Sequence, residues 1–211
     1  MVYIFHCILP KDRALQCIGA SLREISAVEE DSDDEIKLIT EDGLAKYLHL
    51  RQVSILMNFS YSNRLLFLHE NDLRSLIVDG IGVASDHPSR SRYIDLLESG
   101  RINENISLRY IGNIQGVDVG YGVFSESHLD SGVFIGEYTG VIMSSALCSS
   151  HAYSVSYPGG EGGLEINASE TGNLMRFINH SESPNCEFIH FFYDGLCHVI
   201  CVSKRHEHFN K

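Results

Sequence analysis

From about residue 106 onward the chain is cut into short apolar stretches separated by glycine, serine and asparagine, with no long helical segment between them. Residues 106–111 alternate as a strand, and Val117, Val119, Tyr121 and Val123 alternate against small or polar neighbours. Residues 133–135, 137–142, 153–157 and 164–168 continue the series, with a short helix expected over 144–148 and a flexible glycine-rich connection over 158–163. Residues 188–192 and 198–202 flank Tyr193-Asp194-Gly195, a strong hairpin signal. A doubly wound parallel sheet requires helical crossovers, and none is written here, so this half is predicted to be a β-rich domain of short strands.

Residues 1–105 read differently. Apolar residues at helical spacing over 15–28 give way to the acidic run Glu29-Glu30-Asp31-Ser32-Asp33-Asp34-Glu35, which lacks the central glycine of a calcium loop and reads as solvated. Residues 41–50, with acids in the first turn, predict a second amphipathic helix. Residues 53–59 and 65–68 fit either strand or helix. Asp79-Gly80-Ile81-Gly82 is a turn without the third glycine of a dinucleotide fingerprint, residues 85–89 are loop chemistry, and 93–97 form a short helix that Gly100 ends. The expected organisation is a mixed, partly helical region over 1–105 and a β-rich domain over 106–211.

With 211 residues, 44% of them hydrophobic, the chain has enough apolar material for a substantial core. Its longest apolar runs are too short for a bilayer, and residues 1–9 lack the basic start and apolar centre of a signal peptide, so a soluble protein is expected. A net charge of −12 argues against nucleic acid and favours a basic partner. Cys7, Cys17, Cys148, Cys186, Cys197 and Cys201 contain no Cys-x-x-Cys pair and read as reduced thiols in a cytosolic setting.

Near the C-terminus stands Gly172-Asn173-Leu174-Met175-Arg176-Phe177-Ile178-Asn179-His180-Ser181, followed by Pro184-Asn185-Cys186. Three short polar residues in succession and a Ser-Pro pair predict irregular backbone, whose polar groups must find internal partners or a ligand. Upstream lie Gly120-Tyr121-Gly122-Val123-Phe124 and Gly136-Glu137-Tyr138-Thr139-Gly140. In this order the three stretches resemble the signatures of SET-domain protein-lysine methyltransferases, most closely those of chlamydia-type bacteria. The resemblance implies a SET-type (β-clip) fold, S-adenosyl-L-methionine as cofactor and a lysine-bearing protein substrate such as a histone. It also implies the cytoplasm or, for a bacterial effector, export to a host nucleus, and the short apolar runs and net charge of −12 add the expectation of no membrane and no direct nucleic-acid partner.

By the same resemblance, Gly120, Gly122 and Val123 lie against the cofactor, Asn179 and His180 hold it, and Arg176 and Phe177 stand beside them. Tyr138 faces the substrate amine as the catalytic residue and Tyr153 lines the cofactor pocket. Each has a plainer reading: a β turn for the glycines, a core histidine for His180, ordinary strand residues for the tyrosines. Asn167 departs from the family's usual aspartate. After Ser203-Lys204-Arg205 the sequence lacks the family's turn and tyrosine, so weak cofactor binding and poor or absent methylation are expected. The alternative is a non-catalytic module binding a basic peptide or partner. Cys186 stands where some relatives have a zinc ligand, but no metal site is expected, and His206 and His208 read as a frayed end.

Overall fold

The computed structural model describes residues 5–6, 34–67, 90–114, 116–148, 153–158, 163–193 and 196–204. The helix expected over 15–28, most of the acidic run, the 79–82 turn, the 85–89 loop, and His206 and His208 lie outside the described residues.

After β1 (Phe5–His6), β2 (Glu35–Ile39) and β3 (Ala45–His49) form an antiparallel hairpin, which corrects the helix expected over 41–50. Its turn is built on Asp42-Gly43. Gly43 takes φ +78°, its N–H donates to the Thr40 carbonyl at 2.9 Å, and the Asp42 carboxylate accepts from the Thr40 hydroxyl at 2.5 Å. A glycine free to adopt positive φ outweighs helical spacing here, because β2 supplies a full ladder of partners. Helix α1 (Leu50–Leu56) follows directly, with Gln52 Oε1 accepting from the His49 N–H at 3.0 Å and Leu50 and Val53 turned to the core. Asn58 at φ +55° ends it and sends Phe59 into the interior.

Next come β4 (Ser60–Tyr61), β5 (Leu66–Phe67) and helix α2 (Arg90–Ser99). Helix α2 contains the expected 93–97 segment, buries Tyr93 and Leu97 four residues apart, and stops at Gly100 with φ +64°. The remaining strands are β6 (Ile106–Ile114), β7 (Val117–Ser125), β8 (Phe134–Glu137), β9 (Val141–Ser144), β10 (Ser154–Tyr157), β11 (Leu164–Asn167), β12 (Thr171–Gly172), β13 (Cys186–Tyr193) and β14 (Leu196–Ser203). Single 3-10 turns occupy Ser145–Leu147, where a short helix was expected, and Leu174–Phe177.

The single strand expected over 137–142 is two. Tyr138, Thr139 and Gly140 leave the ladder to pass beneath their neighbours, where a Cβ on Gly140 would lie 2.5 Å from the Asn167 carbonyl oxygen. The freed polar groups are satisfied elsewhere: the Tyr138 N–H donates to the Val199 carbonyl at 2.7 Å, and the Thr139 hydroxyl to the Ser62 carbonyl at 2.6 Å.

The described strands form four small sheets, in the orders β1-β5-β9-β11-β10, β3-β2-β6-β7, β13-β14-β8 and β12-β4. The β-rich expectation holds. Three pairings cross residue 105: β2 with β6, β5 with β9 and β4 with β12, all parallel. The sheets enclose a main core that includes Phe67, Ile142, Ile166, Leu174 and Met175, and a smaller one in which Tyr93 packs edge-on to Phe191 at 5.8 Å. Each such large side chain contributes about 1.5–3 kcal/mol of burial.

From the two inner strands of the four-stranded sheet, Lys37 of β2 and Arg109 of β6 each reach the Glu126 carboxylate at 2.6 Å. Together with the Ser107 hydroxyl they hold that carboxyl down at about 2. No helix among the described residues is long and apolar enough to cross a membrane.

Candidate functional site

The Gly120-Tyr121-Gly122 stretch is not a turn but the middle of β7. Gly120, at φ +69°, faces Gly112, at φ +78°, where the β6–β7 ladder slips register. Two glycines in the left-handed region permit this bulge without a Cβ clash. Gly122 has a different role. A Cβ there would lie 2.5 Å from the Ile111 side chain and 3.0 Å from Asn179 Nδ2, so the bare backbone is what lets Asn179 approach.

Asn179 arrives from the later motif. The 3-10 turn Leu174–Phe177 is capped by Asn173, whose Oδ1 accepts from the Met175 N–H at 3.1 Å and whose Nδ2 donates to the Glu137 carbonyl at 2.7 Å. Asn173 is 2% exposed, so this double bond locks the motif onto β8. Residues 178–185 then run without regular structure, as the sequence implied. Asn179 Nδ2 donates to the Tyr121 carbonyl at 3.2 Å, joining the two motifs.

Between them opens a cavity of about 1100 Å³, lined by Gly122, Val123, Ile178, Asn179 and His180 and also by Cys186 and Lys204. His180 is exposed, 3.4 Å from Glu182, and is not a core histidine. A second cavity, of about 1060 Å³, lies between β2 and α2 and contains none of the expected site residues.

Tyr138, Tyr153, Arg176 and Phe177 do not line the Asn179 cavity. Three of them gather with Phe59 on the other side of the same run. The Arg176 guanidinium carbon is 4.3 Å from the Tyr153 ring centre, 4.4 Å from Phe59 and 5.4 Å from Phe177. Arg176 is buried, and its Nη2 donates to the Ser169 carbonyl at 3.1 Å. Nε and Nη1 find no acceptor of good geometry among the described residues. Burial lowers its pKa, opposed by the adjoining Tyr153 and Tyr138. Ring faces and one carbonyl thus enclose the cation.

Tyr138 is 3% exposed and packs edge-on to Phe188 at 5.5 Å. Burial pushes its phenol well above the usual range, partly offset by Arg176, so the hydroxyl stays protonated. Behind it, Glu137 and His198 form a buried pair at 2.6 Å. Asn167, which the sequence left without a role, accepts from the Ser169 N–H at 2.9 Å and so shapes the loop that meets Arg176.

Phe59, Asn173, Ser169 and His198 are the residues sequence reasoning missed. Phe59 belongs to a stretch with no motif at all, and nothing local marks it. Asn173 stood inside the quoted run, and its position just before an apolar turn is an N-cap signal.

Short strands in small sheets, with a β7 bulge and an irregular Asn-His run facing one cavity, are the features to set beside known proteins. Residues 120–207 match the model of the SET domain family. Over 100 residues the chain is 30% identical to the putative histone-lysine N-methyltransferase ASHH4 of Arabidopsis thaliana, covering 44% of this chain and 28% of that one. Over 98 residues it is 31% identical to the histone-lysine N-methyltransferase ash1 of Drosophila melanogaster, covering 42% and 4%. The chain therefore spans under a third of these relatives' lengths. The crystal structure of ATXR5 in complex with a histone superposes with a TM-score of 0.52 at 18% identity, covering 74% of this chain and 79% of that one, a likeness of fold. These relatives come from a plant and an insect, and they leave the expected likeness to chlamydia-type bacterial proteins and to a bacterial effector without support.

Proposed function

We propose that this chain is an S-adenosyl-L-methionine-dependent protein-lysine N-methyltransferase acting on basic, histone-like segments. The observation that carries the reading is the Asn179 amide bonded to the Tyr121 carbonyl beside the cavity, next to Gly122, which has no side chain to crowd it.

The residues present fit that cofactor. Asn179 and the polar backbone of residues 179–181, exposed at the cavity, suit its polar groups. When bound, the cofactor supplies an electrophilic methyl group. The chain's part is positioning and proton control. Gly122 and Val123 line the cavity and Gly120 forms the bulge just before them, while Phe177 and Tyr153 hold Arg176 in place. Tyr138, buried and protonated, offers a hydroxyl toward an incoming amine in surroundings that disfavour ammonium. A net charge of −12 draws lysine-rich segments toward the surface.

Calorimetry of the cofactor against the unmutated chain and Asn179→Ala tests the site, with about a tenfold or greater loss of affinity expected for the variant. Unchanged heat in the variant refutes the assignment. Transfer of a radiolabelled methyl group to histones tests the reaction; binding without transfer would leave a cofactor- or peptide-binding module in place of an enzyme.

A further inference from the structure

Cys186 opens β13, paired with Ser203 of β14, while Cys201 of β14 stands opposite Phe188. Residues two apart on a strand share a face, so both sulfurs lie on one side of this sheet as diagonal neighbours. Cys201 is fully buried, whereas Cys186 is half-buried and reaches the cavity, as does Lys204. The neighbouring Cys201 thiol acts on Cys186 as a hydrogen-bond donor, which favours the Cys186 thiolate. That bond, aided by Lys204 and opposed by burial and Glu187, holds the Cys186 thiol below its ordinary range. The other described thiols differ. Cys197 is buried and pushed up to about 12, and Cys148 contacts the Asn167 amide.

We propose that Cys186 is a site of reversible oxidation by peroxides, with Cys201 beneath it as the resolving thiol. The Cys186 thiolate attacks one peroxide oxygen, the O–O bond breaks, and sulfenic acid and hydroxide result. The Cys201 sulfur then attacks the sulfenic sulfur, displacing water and forming a disulfide. Two electrons pass from the thiols to the peroxide. The Cα approach that a disulfide requires falls on Cys186, which follows directly from the irregular 181–185 run. In a reducing compartment such a bond is transient, as a sensing thiol requires.

The test uses the full chain with no cofactor added, so its outcome is separate from the methyltransferase reading. Iodoacetamide at pH 7, read peptide by peptide, is expected to label Cys186 about tenfold faster than Cys148. Hydrogen peroxide is expected to yield a Cys186–Cys201 cross-link that dithiothreitol reverses, and Cys201→Ser to stop at a Cys186 sulfenic acid that dimedone traps. Equal labelling of Cys186 and Cys148 in the unmutated chain overturns the proposal, as does peroxide treatment that leaves Cys186 unpaired or joined to another cysteine.

Discussion

Around Arg176 the 174–180 run faces aromatic rings and a buried carbonyl, and around Asn179, three residues further on, it faces an open cavity of about 1100 Å³. One side is closed and bonded into the core through Asn173 and the neighbouring Glu137–His198 pair. The other is held to β7 by the Asn179 amide at 3.2 Å, which also reaches the Phe177 carbonyl at 3.4 Å. A short motif thus serves two needs, anchorage and access, by reversing the direction its side chains face. Substitutions on the closed side are expected to register in stability, and those on the open side in binding.

The largest expected effect is on the closed side. His198→Ala strands the Glu137 carboxylate in the interior and is expected to cost about 3–5 kcal/mol in chemical denaturation. A loss under 1 kcal/mol would mean the pair is far less insulated than its 2.6 Å separation and burial imply.

Gly122→Ala probes the open side. Its Cβ meets only movable side-chain ends, so stability falls by about 1 kcal/mol, while displacement of Asn179 weakens cofactor binding about tenfold. A melting temperature that drops with binding untouched would invert the comparison.

Arg176→Met keeps the volume of the cage but loses the bond to the Ser169 carbonyl and the contacts with the Phe59 and Tyr153 rings, so stability is expected to fall by about 1 kcal/mol in chemical denaturation with cofactor affinity little changed. Weakened cofactor binding with stability untouched would move Arg176 to the open side.

The smallest effect belongs to neither side. Glu126, held at about 2 by Lys37, Ser107 and Arg109, contributes stability that is full above the ordinary carboxylate range near 4.5 and is lost as pH falls toward 2. Because the group is partly exposed, Glu126→Gln should flatten the acid limb of a stability–pH profile by under about 1 kcal/mol.

The later strands were legible because they are rich in β-branched and aromatic residues with turn residues at their ends, although their burial differs: β14 is buried along its whole length and β13 mostly is not. The 188–192 and 198–202 stretches extend to β13 and β14 around the expected hairpin, and 153–157 and 164–168 become β10 and β11. Residues 41–50 misled because β3 is largely exposed and owes its form to pairing with β2, a tertiary fact that periodicity does not carry. Tyr138–Gly140 misled for the same kind of reason. Its polar groups are satisfied by Val199 and Ser62, far away in the chain. The motifs located Gly122, Asn179 and His180 beside one cavity, yet gave no hint that Arg176 and Phe177 turn away from it, or that Phe59 waits there to meet them.

The parallel pairing of β4 with β12 bears on how the molecule comes into being. Ser60 joins Thr171 only after most of the chain between them has been synthesised and gathered, and closing so wide a loop is slow. Phe59 immediately precedes that strand, so the enclosure of Arg176 belongs to the final stage of maturation. A nascent or nicked molecule that has made its local hairpins would carry every signature in the sequence and still be incompetent, which makes refolding time courses a direct clock for when the cage closes.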